Sequence, residues 1–174
     1  AELYVRDGVE LPEKFNIFKS ILDKVKRIPG DKYCEHKIGL TKDLEPCGFF
    51  DDNVWWRGVL DLLVIDKDKN LATVIDYKTG KSSQYADTRQ LSLMSVGVFK
   101  HFPEVESIKS ALMFLVSKEL IKEDYNSEKV EEMFEEWGKI THRIDTAYKT
   151  NVFNAVPNFG CRWCPVASCA HNGK

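Results

Sequence analysis

The sequence predicts an α/β domain, and three observations predict it. Two apolar runs, Val54 to Ile65 and Leu71 to Tyr77, flank the polar turn Asp66-Lys67-Asp68-Lys69-Asn70 and read as an antiparallel strand pair. A continuous apolar run, Ala111 to Val116, reads as a buried central strand. Elsewhere apolar residues recur at helical spacing. The chain has 174 residues, 43% apolar and 30% charged, which suits one domain over residues 1–174 with a cysteine-bearing tail, 157–174.

The elements follow in order. Ala1-Glu2-Leu3-Tyr4-Val5 reads as the end of a helix with no cap before it, and no initiator methionine opens the chain, so a missing upstream segment is expected. Leu11-Pro12-Glu13 starts a helix with proline in its first turn, and Phe15, Phe18, Leu22, Val25 and Ile28 form its stripe until Pro29-Gly30-Asp31 stops it. Tyr33 to Leu40 reads as a strand carrying Cys34, Glu35 and His36; ordinary strand alternation accounts for each before any role in a site does. Asp43 to Gly48 is a turn region, and Asp51-Asp52-Asn53 a hairpin tip. Tyr85-Ala86-Asp87 leads into a helix through about His101, with Leu91, Met94, Val98 and Phe102 as the buried stripe and Arg89, Gln90 and Lys100 off it. Ser127 is the expected cap of a long helix whose face of Val130, Phe134, Trp137, Ile140, Ile144 and Tyr148 reads as core, with Glu131, Glu132, Glu135 and Glu136 solvated.

The net charge of −2 excludes an overall basic footprint, so a nucleic-acid partner must be argued from local charge and from metal ions. No apolar stretch is long enough to span a bilayer, and no secretory signal opens the chain. No membrane is expected as a partner. A cytoplasmic, reducing setting is expected, in which the five cysteines are free thiols or metal ligands.

The chemistry gathers on two strands. Asp76 and Lys78 are two positions apart, so they project to one face. Asp61 lies between Leu60 and Leu62-Leu63, where an acid is costly to bury without a partner or a cation. Together these residues read as one divalent-metal site for phosphodiester hydrolysis. Asp61, Asp76 and the backbone carbonyl of Tyr77 supply the hard oxygen ligands that Mg2+ or Mn2+ prefers. Lys78 orients the water and offsets charge in the transition state. The plain alternative is an exposed hairpin ion pair, worth roughly 0–1 kcal/mol, and Asp61 argues against it. Arg57, Lys81, Arg89 and Lys100 are basic residues near the site in sequence. Trp55, Trp56 and Tyr85 could stack on bases, though each fits ordinary core or surface equally well.

The run Gly58-Val59-Leu60-Asp61, then Asp76-Tyr77-Lys78-Thr79-Gly80, then a helix with Gln90, resembles the RecB-like branch of the PD-(D/E)XK nuclease superfamily. It is most similar to bacteriophage exonucleases and CRISPR-adaptation nucleases, and the likeness spans most of the chain. The resemblance implies a restriction-endonuclease-like core, a central mixed β-sheet flanked by helices. It implies Asp61 and Asp76 as metal-binding acids, Lys78 as catalytic lysine, and Gln90 as the glutamine of a Q-x-x-x-Y helix near the DNA or the active site. It further implies a metal-dependent exonuclease acting on linear or single-stranded DNA ends in phage DNA processing, recombination or repair, with recombination or replication proteins as partners, in a bacterial or phage-infected cell. A CRISPR-adaptation nuclease is the competing enzyme. A non-catalytic nucleic-acid-binding module that retains the fold is the competing class.

Three departures accompany the resemblance. The family's metal-binding histidine precedes the first strand, whereas the earliest histidine here is His36; the motif is expected before Ala1, and a chain without it is expected to be impaired. Met94 stands where tyrosine is common. Related nucleases hold a 4Fe-4S cluster with one upstream cysteine and three near the C-terminus; Cys161, Cys164 and Cys169 resemble the downstream trio, and Cys34 and Cys47 are poor substitutes for the upstream one. From the residues alone, Zn2+ held by Cys161, Cys164, Cys169 and His171 and a trio of free thiols remain open beside the cluster.

Overall fold

A computed structural model describes the chain from Ala1 to Gly173 except Lys81 and Tyr85; those two and Lys174 lie outside the described residues. In order, the elements are α1 (Glu2–Asp7), a 3-10 segment (Glu13–Phe18), α2 (Lys19–Lys26), β1 (Asp31–Leu40), β2 (Pro46–Cys47), β3 (Trp56–Asp66), β4 (Leu71–Lys78), α3 (Arg89–His101), β5 (Ser107–Phe114), β6 (Glu119–Asn126) and α4 (Val130–Thr150). The six strands form one sheet in the order β2-β1-β3-β4-β5-β6. Only β4 and β5 run parallel, joined by the α3 crossover, so the sheet is mixed and flanked by helices as expected.

Alternation along β3 splits the core in two. Leu63 and Ile65 join Ile38, Val74, Val96 and Val98 on the α3 side. Leu62 and Val64 join Leu22, Val25 and Ile75 on the side of α1 and α2. Helix α3 lies close on the sheet because position 97 is glycine: a Cβ there would stand 2.5 Å from Ile38 Cδ1 and 2.8 Å from Trp56 Cζ3. The buried hydroxyls of Ser95 and Ser110, 3.1 Å apart, tie α3 to β5, and His101 Nε2 sits 2.8 Å from the Gly39 carbonyl of β1.

The alternation breaks at one level. Glu35 has φ 51°. Past it, Tyr33 and His36 both meet Phe102 on the α3 side, while Cys34 packs on the other. The neighbouring strand shifts too, for Leu60 and Leu63 share the α3 side although Leu62 does not. Asp61 sits at this break.

Several expectations need correction. The helix after Pro12 begins as a 3-10 segment, because Phe15 and Ile17 stay 43% and 70% exposed and its first turns have little to bury. In α3 the buried residues are Leu91, Ser95, Val96, Gly97, Val98 and Phe99, with Met94 only half-buried. Strand β6 is absent from the sequence reading; Leu120, Lys122 and Asp124 along one of its faces are all exposed, so it carries little apolar signal. The cap before α4 is Asn126, whose side chain accepts from the Glu128 N–H. Along α4 only Val130 is buried, and Ile144 and Tyr148 are exposed, not core.

The chain divides into two compact units, Ala1–Trp137 and Gly138–Lys174, and the sheet lies wholly in the first.

Candidate active site

The site grows from a fork in the sheet. The β3–β4 ladder runs from Asp66 and Leu71 up to Leu62 and Ile75 and stops there. The β4–β5 ladder continues to Lys78 and Phe114. Residues 76–78 are therefore laddered to β5 alone. In the fork, Asp61 Oδ2 accepts the Tyr77 N–H at 2.8 Å, a carboxylate doing what a strand carbonyl does elsewhere.

Asp76 alternates with Val74 and Ala72, which face α3, and is 8% exposed. Lys78 lies two residues on, and its Nζ stands 2.7 Å from Asp76 Oδ2. The Nζ also donates to Gln90 Oε1 on α3 at 3.3 Å. The contact with Asp76 is close but not aligned as a hydrogen bond, so Oδ2 is a buried oxygen with no hydrogen-bond partner.

Burial pushes the Asp61 carboxyl above its ordinary range; the Tyr77 N–H pulls it down, and the charges of Asp76, Glu35 and Glu2 push it up further. Negative charge thus accumulates around Asp61, which a cation would relieve. Among the described residues no group of three or more His, Cys, Asp or Glu side chains is arranged to hold a metal ion. The donor set of this fork is two carboxylates and backbone oxygen, with Asp76 Oδ2, buried and without a hydrogen-bond partner although ion-paired with Lys78, as the feature that fits a hard cation.

A model of the PD-(D/E)XK nuclease superfamily matches residues 15–169. The chain belongs to the PD-(D/E)XK nuclease superfamily. No curated protein matches the sequence. A solved structure described as "Crystal structure of SSO0001" is similar with a TM-score of 0.41 and 14% identity, over 95% of this chain and 74% of that one. Membership in this nuclease superfamily agrees with the mixed sheet and its flanking helices, and it points to nuclease activity on nucleic acid.

The other residues singled out in this superfamily member are distributed as follows. Arg57 is exposed and lies over the rings of Phe49 and Phe50, 5.7 and 5.8 Å from their centroids. Arg89 is bound through two nitrogens to Asp87, which its guanidinium lowers to about 2. Lys100 pairs with Glu131 at 3.0 Å. Trp55 meets Phe134 edge-on and Trp56 packs against the core, so both serve packing. Lys81 and Tyr85 lie outside the described residues. His36 meets the rings of Tyr33 and Phe102 at a tilt, and burial, then His101, lowers its affinity for a proton. Burial raises the Cys34 thiol, whose Sγ faces the Glu2 carbonyl at 3.7 Å.

In the second unit, Cys161, Cys164, Cys169 and His171 line one cavity of about 460 Å³. The thiols are free, and Cys161 Sγ accepts the Asn158 N–H at 3.4 Å. Among the described residues no helix is long and apolar enough to cross a membrane. Sequence reasoning missed Glu2, whose charge reaches Asp61 from α1; nothing local in the sequence signals a contact between residues so far apart.

Proposed function

We propose that the chain is a divalent-metal-dependent deoxyribonuclease of the RecB-like, phage-exonuclease kind, acting on linear or single-stranded DNA ends. The observation that carries this reading is the buried Asp76 Oδ2, ion-paired with the Lys78 ammonium at 2.7 Å but without a hydrogen-bond partner, at a fork where Asp61 is already anchored. Asp61, Asp76 and the Tyr77 carbonyl would hold Mg2+ or Mn2+, which supplies a more acidic water and neutralises phosphate charge.

The chain's own residues do the rest. The Tyr77 N–H fixes one oxygen of Asp61. Lys78 presents its ammonium where negative charge develops on the phosphate, held by Asp76 and by Gln90 Oε1. Gln90 acts through Lys78 and is a positioning residue. Arg57, Lys81 and Arg89 are proposed backbone contacts for DNA. Arg89 would bring Asp87 with it, which weakens its pull on phosphate. The cysteine cavity is proposed to hold a 4Fe-4S cluster or Zn2+, a reading supported by three cysteines and a histidine that line the same cavity.

The test is release of label from linear DNA in Mn2+. Asp76→Ala and Lys78→Ala should each cut at least about 10²-fold more slowly, the usual scale for removing a preorganised charge from a transition state. Undiminished cutting by both variants removes the assignment, and cutting of closed circles removes the exonuclease reading.

A further inference from the structure

The sheet face opposite α3 is covered by α1 and α2 only in part. Beyond α2, the β4–β6 end forms an open groove of about 830 Å³, entirely within the first unit. Its floor is apolar, built from Val25 of α2, Ile28 just after it, Ile75 of β4, Ala111 and Met113 of β5, and Leu120 of β6. Leu120 is 42% exposed at its edge.

The groove's charge runs against that of the chain. Lys24, Lys69, Lys109, Lys118 and Lys122 line it, with Asp66 and Asp124 as the only acids among the lining residues. Asp66 is taken by Lys69 at 2.8 Å. Asp124 stands opposite Lys109 in the β5–β6 register. Lys24, Lys118 and Lys122 have no ion-pair partner among the described residues, although the chain as a whole carries −2.

We propose that this groove docks an acidic amphipathic helix of a partner protein, its apolar face on the Ile75–Met113–Leu120 floor and its carboxylates against Lys24 and Lys122. A helix of that kind satisfies both features at once, apolar area and cationic rim. A single nucleic-acid strand satisfies only the second. The groove offers no aromatic ring for bases to stack on and no arginine fork for phosphate. The chain's own stretch from Asn151 to Lys174 contains no acid, so the lysine rim does not favour it as occupant. The proposal stands apart from the metal site, since the groove lies on the face away from Asp76 and Lys78.

The test uses the full chain and a fluorescein-labelled designed helix with leucines on one face and glutamates on the other. Its controls are the same peptide with lysine for glutamate and an oligothymidine of similar length. Anisotropy should show saturable binding of the glutamate peptide, at least about tenfold tighter than either control and weakening with salt. Lys24→Glu with Lys122→Glu, and separately Leu120→Asp, should each weaken it by about tenfold or more. All three positions are exposed, and unchanged thermal unfolding of the variants verifies the fold. Oligothymidine binding as tightly as the glutamate peptide, or variants that bind it unchanged, overturns the proposal.

Discussion

In Ala1–Trp137 the side chains of Leu62, Leu63, Val74 and Leu112 are wholly buried, whereas in Gly138–Lys174 no described residue is buried at all. Phe159 and Trp163 of the second unit are 83% and 70% exposed. What shapes that unit's tail is a mesh of backbone bonds around its cysteines. Cys161 N–H donates to the Asn158 carbonyl at 3.0 Å, Gly173 N–H to the Cys161 carbonyl at 3.0 Å, and Asn172 Nδ2 to the Cys164 carbonyl at 2.6 Å. Hydrogen bonds of this sort add little net stability in water. Segments this short normally hold together through a disulfide or a metal, and these thiols are free. The contrast teaches that one chain contains two sources of order: apolar burial in the sheet, and local hydrogen bonding around the cysteines in the tail.

The sharpest way to break this contrast is to truncate one side chain in each unit. Leu62→Ala should cost about 2–5 kcal/mol in urea unfolding, since it empties a fully buried site. Phe159→Ala should stay within about 0.5 kcal/mol, as surface changes do. Equal losses would mean that the tail has a core after all. A second, smaller effect concerns the metal proposed for the cysteine cavity. Stripping it with a chelator should speed proteolysis at Arg162 by about tenfold and leave the sheet unit resistant, as expected where binding and folding are coupled; metal analysis before and after gives the occupant. Unchanged proteolysis would leave the tail ordered by its hydrogen bonds alone.

The smallest effect lies inside the sheet unit, where the site works against the fold. The folded chain raises the Asp61 carboxyl, chiefly by burial. A raised carboxyl binds its proton more tightly folded than unfolded, so its stabilisation is full in acid and is lost as pH rises through the raised value. At neutral pH, without metal, ionised Asp61 therefore lowers stability. Asp61→Asn keeps an oxygen for the Tyr77 N–H, and it should raise Tm by about 1–3 °C at pH 7. The gain should vanish below about pH 4, where both chains are neutral at this position. A loss of stability at pH 7 would reverse the assigned sign.

Much of the sheet was legible because β3, β4 and β5 are apolar runs with clear turns between them. Asp61 stood out because an acid inside an apolar strand needs a reason, Asp76 and Lys78 because two positions apart they share a strand face, and Gln90 through the family resemblance. Strand β6 was illegible because it lies at an edge with charged residues on its open face. The face of α4 was legible as a pattern, but a pattern does not say whether anything covers it. The fork was beyond the sequence: that the ladder stops at Leu62 and Ile75, and that a carboxylate then takes the Tyr77 N–H, depends on a break in strand alternation which no local composition marks.

That fork has a consequence for descent. Both acids, the lysine and its glutamine fall between Asp61 and Gln90, on two adjoining strands and the start of one helix. One exchange of genetic material could import or erase the whole constellation together. Strand β1 supplies none of these four residues and has only to keep its ladder to β3.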